Sequence, residues 1–213
     1  MLNDLRRVLL LAPHTDDGEF ACGGTIARFI AESKDCFYVA FSSCDASLPE
    51  GSKKGLLFDE MTEATRILGI KDSNRITFDY KVRHFPQFRQ AILEDMVKLY
   101  TDITPDLVLL PSRYDTHQDH GVIASEGFRA YKRCSILGYE LPCNNLSFVS
   151  SGFIEFNADH LRKKVAALKC YRTQANRDYA SAEYVEALAR TRGVQIGVRF
   201  AEAYEVIRTI SRL

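Results

Sequence analysis

The segment "RRVLLLAPHTDDGEFACGGTIA" (residues 6–27) joins an apolar run to an acidic turn and then to a glycine pair. The apolar run over residues 6–13 does not alternate with polar residues, which is typical of a strand buried on both faces of a parallel sheet. The continuation "GTIARFIAESK" (residues 24–34) places Ile26, Phe29 and Ile30 on one side of a predicted helix. A buried strand followed by a helix is the first unit of an α/β fold.

The same alternation of strand and helix continues along the next hundred residues. Apolar runs predict strands over 36–44, 75–82 and 106–112. Amphipathic patterns predict helices over 56–70, 87–103 and 121–134. Helices interleaved with apolar strands predict a mostly parallel sheet with helices on both faces.

The pattern changes after about residue 135. Shorter strands and loops are predicted over 135–156, helices over 158–174 and 182–193, and a last strand over 201–210. A chain of 213 residues suits one domain of ordinary size. We therefore expect residues 1–213 to form a single domain.

Charge and cysteine content limit the classes of protein to which this chain can belong. The 28 basic residues equal the 28 acidic residues in number, which argues against a nucleic-acid binder because such proteins carry a basic excess. The six cysteines form no Cys-x-x-Cys pair, so reduced thiols in a cytoplasmic protein are expected. No segment approaches the ~20 apolar residues of a membrane span, and the N-terminal apolar run is too short for a signal peptide.

Polar residues with the chemistry of a metal site follow two of the predicted strands. "PHTDD" (residues 13–17) follows the first strand, and "DTHQDH" (residues 115–120) lies shortly after the strand over 106–112. Ligands of open α/β sheets bind outside the carboxyl ends of the strands, so the two segments are expected to meet there. His14, Asp17 and His120 would supply three ligands and leave one position open, which describes a catalytic zinc site.

A divalent cation also explains why two aspartates are adjacent, because it offsets their repulsion. If Asp17 is the ligand, Asp16 is free to act as general base on water. His117 is placed to donate to a developing oxyanion, with Asp119 as the carboxylate that orients it. Together these residues predict metal-assisted hydrolysis through a tetrahedral intermediate, with the proton taken by Asp16 passing to a leaving amine.

Two other classes of function stay open on these residues. Two histidines and one carboxylate also form the triad of non-haem iron oxygenases, although the extra Asp16 favours hydrolysis. The second class is a protein that binds a sugar or a metal without turnover. Dinucleotide binding is excluded by the lack of a G-x-G-x-x-G after the first strand. The Gly23–Gly24 pair could let the start of a helix approach a ligand phosphate, but tight packing of the helix start is the preferred explanation. Cys22 is expected to be a buried small residue.

The same segments carry a resemblance to a known family. "PHTDDGEFACGGTIA" (residues 13–27) and "DTHQDH" are similar to the two signature motifs of the PIG-L/LmbE-like deacetylases. Weaker similarities span most of the chain: "EMTEATRILGI" (60–70), "KKVAALKCYRTQ" (163–174) and "GVQIGVRFAEAYEV" (193–206). The resemblance implies a Rossmann-like fold with the active site at the carboxyl ends of the strands.

By its motifs, the resemblance also implies a site and a reaction. One Zn²⁺ would be bound by His14, Asp17 and His120, and Fe²⁺ could be the native metal instead. Asp16 would be the base. The oxyanion would be stabilised by His117 with Asp119. The reaction would be removal of an N-acetyl group from an amino sugar, commonly N-acetylglucosamine joined to a carrier. Relatives often form trimers or hexamers, which makes a homo-oligomer possible.

Two positions depart from the family pattern, and the second of them concerns the substrate. Thr15 replaces the usual proline, which a turn tolerates, and Leu57 stands where many members have a substrate-binding arginine. Arg83 or Arg113 could replace that arginine, and Asn144 and Asn145 in "GYELPCNN" (138–145) could line the sugar site. The expected substrate is an N-acetylated sugar or a nucleotide- or thiol-sugar conjugate, and an amidase acting on another amide has the same catalytic needs.

Overall fold

The computed structural model describes residues 5–211. Within this range the chain forms seven strands and six α-helices. The strands are β1 (Arg7–Ala12), β2 (Asp35–Ala40), β3 (Arg75–Thr77), β4 (Leu107–Pro111), β5 (Ser135–Tyr139), β6 (Gly152–Glu155) and β7 (Ala201–Arg208). The helices are α1 (Asp17–Ala31), α2 (Leu56–Leu68), α3 (Arg89–Ile103), α4 (Gln118–Ala130), α5 (Ala158–Leu168) and α6 (Ala182–Val194).

The seven strands form one sheet in the order β3-β2-β1-β4-β5-β7-β6. Strands β1 to β5 pair in parallel, and β7 runs antiparallel to β5 and β6. The chain builds β2 and β3 on one side of β1 and then returns to place β4 on the other side. The mostly parallel, Rossmann-like fold is thus confirmed, and the reversal of strand order opens a crevice outside the carboxyl ends of β1 and β4.

Helices cover both faces of the sheet, as the continuous apolar strands predict. The side chains of Val8 and Leu10 pack in one core with α1, α2, α5 and α6, and those of Leu9 and Leu11 pack in a second core with α3 and α4. These four side chains are at most 2% exposed. Burial on both faces explains why β1 shows no polar alternation.

Helix α1 begins seven residues earlier than predicted, at Asp17 instead of residue 24. Gly18, Gly23 and Gly24 all lie inside this helix, where neighbouring side chains approach the backbone closely. A Cβ at Gly18 would lie 2.5 Å from atoms of Leu10 and Tyr38, and one at Gly24 would lie 2.6 Å from the ring of Phe156. Close packing therefore explains these glycines, and Asp17 lies in the first turn of a helix.

Other element boundaries also differ from the prediction. Helix α4 starts at Gln118 instead of residue 121, helix α5 ends at Leu168 instead of residue 174, and β3 is only three residues long. Residues Arg172–Gln174 form a separate 3₁₀ turn beyond α5. This turn lies in the segment of residues 171–180, from which Gln174, Arg177 and Tyr179 line the cavity described below.

All six cysteines are free thiols, and Cys22 is fully buried. Among residues 5–211, no helix has both the length and the apolar character needed to cross a membrane. A cytoplasmic location stays a prediction.

Candidate active site

The two polar segments meet at the reversal of strand order. His14 and Asp17 lie between β1 and the first turn of α1, and His120 lies in the first turn of α4, which follows β4. The ring centroids of His14 and His120 are 5.0 Å apart, although 106 residues separate them in sequence. The topology therefore brings together the three ligands proposed from the sequence.

Three atoms of these residues form a nearly equilateral triangle. Nδ1 of His14 lies 3.1 Å from Nε2 of His120. Oδ2 of Asp17 lies 3.3 Å from each of these nitrogens. Tetrahedral zinc with bonds of about 2.0–2.1 Å separates its ligand atoms by about 3.3 Å. The donor set and its spacing therefore fit a divalent ion of this kind.

Carboxylates on the far side of both rings fix which nitrogen faces the triangle. Oδ2 of Asp115 lies 2.7 Å from Nδ1 of His120, and Oδ2 of Asp119 lies 3.1 Å from Nε2 of His14. Such contacts orient a metal-binding imidazole and raise its basicity. Asp115 was missing from the residues proposed from sequence, although it is the first residue of "DTHQDH".

Asp119 has a different partner from the one we expected. Besides His14, its carboxylate accepts hydrogen bonds from the backbone N–H groups of Arg83 (2.5 Å) and Phe85 (3.1 Å). Its contact with His117 instead uses its own backbone N–H, which donates to Nδ1 of that ring at 3.2 Å. The reason is that His117 caps the N-terminus of α4, so its ring faces the free amides of the first turn. Asp119 therefore orients His14, which is one of the expected metal ligands.

The ring of His117 has one nitrogen available to the site. Because Nδ1 accepts from the Asp119 amide, the neutral ring carries its proton on Nε2. Burial and the neighbouring histidines lower the pKa of His117, which favours this neutral form. Nitrogens of His14, His117 and His120 also come within 4.8 Å of one another. The set with Asp17 is tighter, at 3.1–3.3 Å, and agrees with the ligands expected from the sequence.

The adjacent aspartates have opposite electrostatic environments. Burial and the charge of Asp17 raise the pKa of Asp16 to about 6. For Asp17, burial acts to raise the pKa, but His120 and His14 outweigh it and hold the pKa well below its usual range. Neighbouring carboxylates whose pKa values are driven apart are typical of an acid–base site. This difference suits Asp17 to metal binding and Asp16 to proton transfer.

A buried network holds the turn that carries these aspartates. The hydroxyl groups of Tyr38 and Tyr171 lie 2.9 Å and 2.6 Å from the carbonyl oxygen of Thr15. Both hydroxyls also contact the carboxyl group of Glu19, which is fully buried. Burial raises the pKa of Glu19 to about 8. The network fixes the backbone between His14 and Asp16, and sequence reasoning had assigned it no role.

A cavity of about 330 Å³ opens over the site. The side chains expected to bind the metal or to act in catalysis that line it are His14, Asp16, Asp17, His117 and His120. Other lining residues include Leu57, Arg83, Asn144, Gln174, Arg177 and Tyr179. The volume is near the lower end of the range of about 300–1,000 Å³ for small-molecule sites.

Two of the four residues proposed to contact substrate line this cavity, and two do not. Arg83 and Asn144 line it. The guanidinium group of Arg113 instead pairs with Glu205, with 2.6 Å between Nε and Oε1. Oδ1 of Asn145 accepts from the backbone N–H of Leu141 at 2.8 Å. Asn145 therefore shapes its loop.

Residues 9–131, more than half of the chain, match the PIG-L family of GlcNAc-PI de-N-acetylases. The fold and the site agree with this match, and the chain belongs to the PIG-L family. One relative is a protein of Escherichia coli K12 named the uncharacterized deacetylase YaiS. It is 28% identical over 178 residues, which cover 80% of this chain and 93% of the relative.

Solved structures share the fold at lower identity. The N,N'-diacetylchitobiose deacetylase of Pyrococcus horikoshii superposes with a TM-score of 0.80 at 21% identity, covering 96% of this chain and 84% of that one. GalB of Pseudomonas putida KT2440, a 4-carboxy-2-hydroxymuconate hydratase, has a TM-score of 0.77 at 20% identity, covering 98% and 100%. Since a deacetylase and a hydratase share this architecture, the reaction must be inferred from the site.

Proposed function

We propose that this protein is a metal-dependent hydrolase that removes the N-acetyl group from an amino sugar of the N-acetylglucosamine type. One observation carries the proposal. The triangle formed by His14, Asp17 and His120 faces a cavity that Asp16 and His117 also line. Membership of a family described by de-N-acetylation and the diacetylchitobiose substrate in the name of a structural neighbour support the acetyl group and the sugar class.

His14, Asp17 and His120 would hold the ion, with zinc as the first candidate and ferrous iron as the second. When bound, the ion would polarise the amide carbonyl and lower the pKa of a water molecule beside it. Asp115 and Asp119 hold the outer nitrogens of the two histidines, so the ligand set is orientated before an ion arrives.

Asp16 carries out the proton transfers, and the neutral ring of His117 stabilises the developing negative charge by a hydrogen bond. Asp16 takes a proton from water as the water oxygen bonds to the carbonyl carbon. The Nε2–H group of His117 donates a hydrogen bond to the carbonyl oxygen as negative charge develops there. The C–N bond then breaks, and the proton held by Asp16 passes to the amine nitrogen. The products are acetate and the free amino sugar.

A screen for acetate release tests this reaction. Metal-loaded protein would be incubated with N-acetylglucosamine, N,N'-diacetylchitobiose, a nucleotide-linked N-acetylglucosamine and an N-acetylglucosaminyl thioglycoside. We expect release from at least one, and Asp16→Asn is expected to reduce it by about 10²–10⁴-fold while the metal content stays unchanged. Asp102→Asn, at the exposed end of α3, is the matched control and should behave as the unmodified protein.

The same screen also distinguishes the proposed deacetylase from an amidase and from a binding protein. Release of an amine without acetate would indicate an amidase acting on a different acyl group. Metal binding with no hydrolysis of any amide would contradict the proposal and favour a binding protein. Homo-oligomerisation and the cytoplasmic location stay predictions, to be measured by light scattering and by fractionation.

A further inference from the structure

We propose that the amino sugar carries an anionic substituent, a phosphate or a carboxylate, that is bound by Arg83 and Arg177. This inference rests on the proposed function and names the class of substrate more closely. Both arginines line the cavity over the metal site. Arg177 was not among the residues proposed from the sequence.

Both guanidinium groups lack a carboxylate partner within the described part of the chain. The contact of Arg83 is with Oγ of Ser47 at 3.2 Å, and that of Arg177 is with the hydroxyl group of Tyr179 at 2.8 Å. By contrast, Arg113, which lies outside the cavity lining, pairs with Glu205. Neither guanidinium group is therefore held in an ion pair, although Arg177 lies close enough to Asp16 for their charges to interact.

The neutral partners orient these groups without neutralising them. Ser47 and Tyr179 also line the cavity. The guanidinium carbon of Arg177 lies 5.7 Å from the centre of the Tyr179 ring, so the side chain rests against an aromatic surface and keeps most of its N–H donors free. A planar guanidinium with free donors suits phosphate or carboxylate recognition.

The charge balance of the cavity also favours an anion. Asp16 and Asp17 are the acidic residues that line it, as far as the described residues go. A divalent ion would offset both carboxylates. The charges of Arg83 and Arg177 would then remain, and a cleft with one sign of charge attracts a ligand of the opposite sign.

Both arginines lie on segments that are anchored to the catalytic centre. In the segment of Arg177, Thr173 donates to the buried Glu60 through Oγ1 (2.7 Å) and through its backbone N–H (3.2 Å). Tyr171, at the start of the same segment, contacts the Thr15 carbonyl oxygen at 2.6 Å. These contacts place residues 174–179 along the cavity.

Arg83 is held by its own backbone. Its N–H donates to Asp119, and its φ of +67° is a left-handed conformation that an arginine adopts only when its surroundings impose it. Leu57, at the position where a family arginine was expected, is 3% exposed and adds apolar surface to the cavity. Arg83 and Arg177 thus supply positive charge that position 57 lacks.

The experiment measures binding of amine products, so that it does not depend on turnover. Glucosamine, glucosamine 6-phosphate and muramic acid would be titrated by calorimetry into the metal-loaded protein at low salt. At least one anionic probe is expected to bind about tenfold more tightly than glucosamine, and its advantage should shrink as salt is added. The tighter of the two anions distinguishes phosphate from carboxylate.

Three variants assign the effect to the arginines. Arg83→Gln and Arg177→Gln are each expected to reduce the advantage of the anionic probe, and the double variant to abolish it. Arg172→Gln is the matched control, because Arg172 is exposed, pairs with Glu63 at 3.2 Å and does not line the cavity. Thermal unfolding would verify that all four variants fold.

Two results would overturn the inference: no advantage for either anion, including binding too weak to measure, or an advantage that survives in the double variant. The acetate-release screen separates this failure from failure of the proposed function. Acetate release without anion preference contradicts the inference alone, and anion preference without acetate release contradicts the proposed function alone.

Discussion

The carboxylate of Asp115 lies 2.7 Å from Nδ1 of His120 and thereby turns Nε2 of that ring toward His14 and Asp17. A second oxygen of Asp115 accepts from the backbone N–H of His117 at 2.8 Å. One buried carboxylate thus positions both a proposed metal ligand and the residue proposed to stabilise the oxyanion. Partners of this kind fix the orientation of a metal-binding imidazole and raise its basicity.

Removing the Asp115 carboxylate should weaken metal binding. We expect Asp115→Ala to lower the affinity for zinc by about 10–100-fold, measured by competition with a chromophoric chelator. Asp115→Asn keeps an acceptor oxygen and should recover part of the loss. Equal affinity in the alanine variant and the unmodified protein would contradict the proposed role of Asp115, and Asp102→Ala serves as the control.

Metal binding should release protons. Burial acts to lower the pKa of His14 and of His120, but the adjacent carboxylates outweigh it, raising the pKa of His14 above its ordinary value and that of His120 to about 10. A ring must be deprotonated to bind a metal, so acid competes with the ion and the affinity should rise with pH. Calorimetry in buffers of different ionisation enthalpy measures the released protons, and an affinity independent of pH would contradict this assignment.

The rate of hydrolysis should fall in acid because of Asp16. Its raised pKa, about 6, means that the carboxylate needed as a base is lost as the pH drops through that value, and a bound cation would move the loss to lower pH. The acid limb of the kcat/KM profile should therefore lie at or below about pH 6. Asp16→Asn should abolish this limb, and an unchanged limb in that variant would remove Asp16 as the base.

The buried Glu19 should make stability depend on pH. Its pKa in the folded protein is about 8, against an ordinary value of 4.5, so the folded state disfavours the carboxylate and loses stability as the pH rises between these values. Glu19→Gln removes this effect. The free energy of unfolding of Glu19→Gln, measured in urea and compared with that of the unmodified protein, should therefore be relatively larger at about pH 8 than at about pH 5.

A constant difference between the two pH values would show that Glu19 is accommodated as a carboxylate. Glu63→Gln, at an exposed position of α2, is the matched control and should show no such dependence.

The sequence predicted the features that depend on local pattern. Apolar runs such as Val8–Leu11 identified the buried strands, and the parallel topology implied that residues following β1 and β4 would meet. The proximity of His14 to His120 was therefore predictable across 106 positions. The predicted start of α1 was wrong because Gly18 is required by the close approach of Tyr38. Such a contact between distant residues leaves no local pattern in the sequence.

The other missed features also depend on contacts between distant segments. Asp119 was assigned to its sequence neighbour His117, whereas the fold gives its carboxylate to His14. Arg177 reaches the cavity because Thr173 donates a hydrogen bond to Glu60, which lies 113 residues earlier in the sequence. Sequence spacing carries no information on such pairs, so substrate-binding residues on loops were harder to predict than ligands at strand ends.

The central claim is that His14, Asp17 and His120 hold the ion required for hydrolysis. The most direct test is to strip the protein with a chelator and to follow acetate release as zinc is added back. Release should rise until about one ion is bound per chain, and Asp17→Ala should show no rise at the same zinc concentrations. Acetate release that survives chelation, or an Asp17→Ala variant that responds to zinc as the unmodified protein does, would contradict the claim.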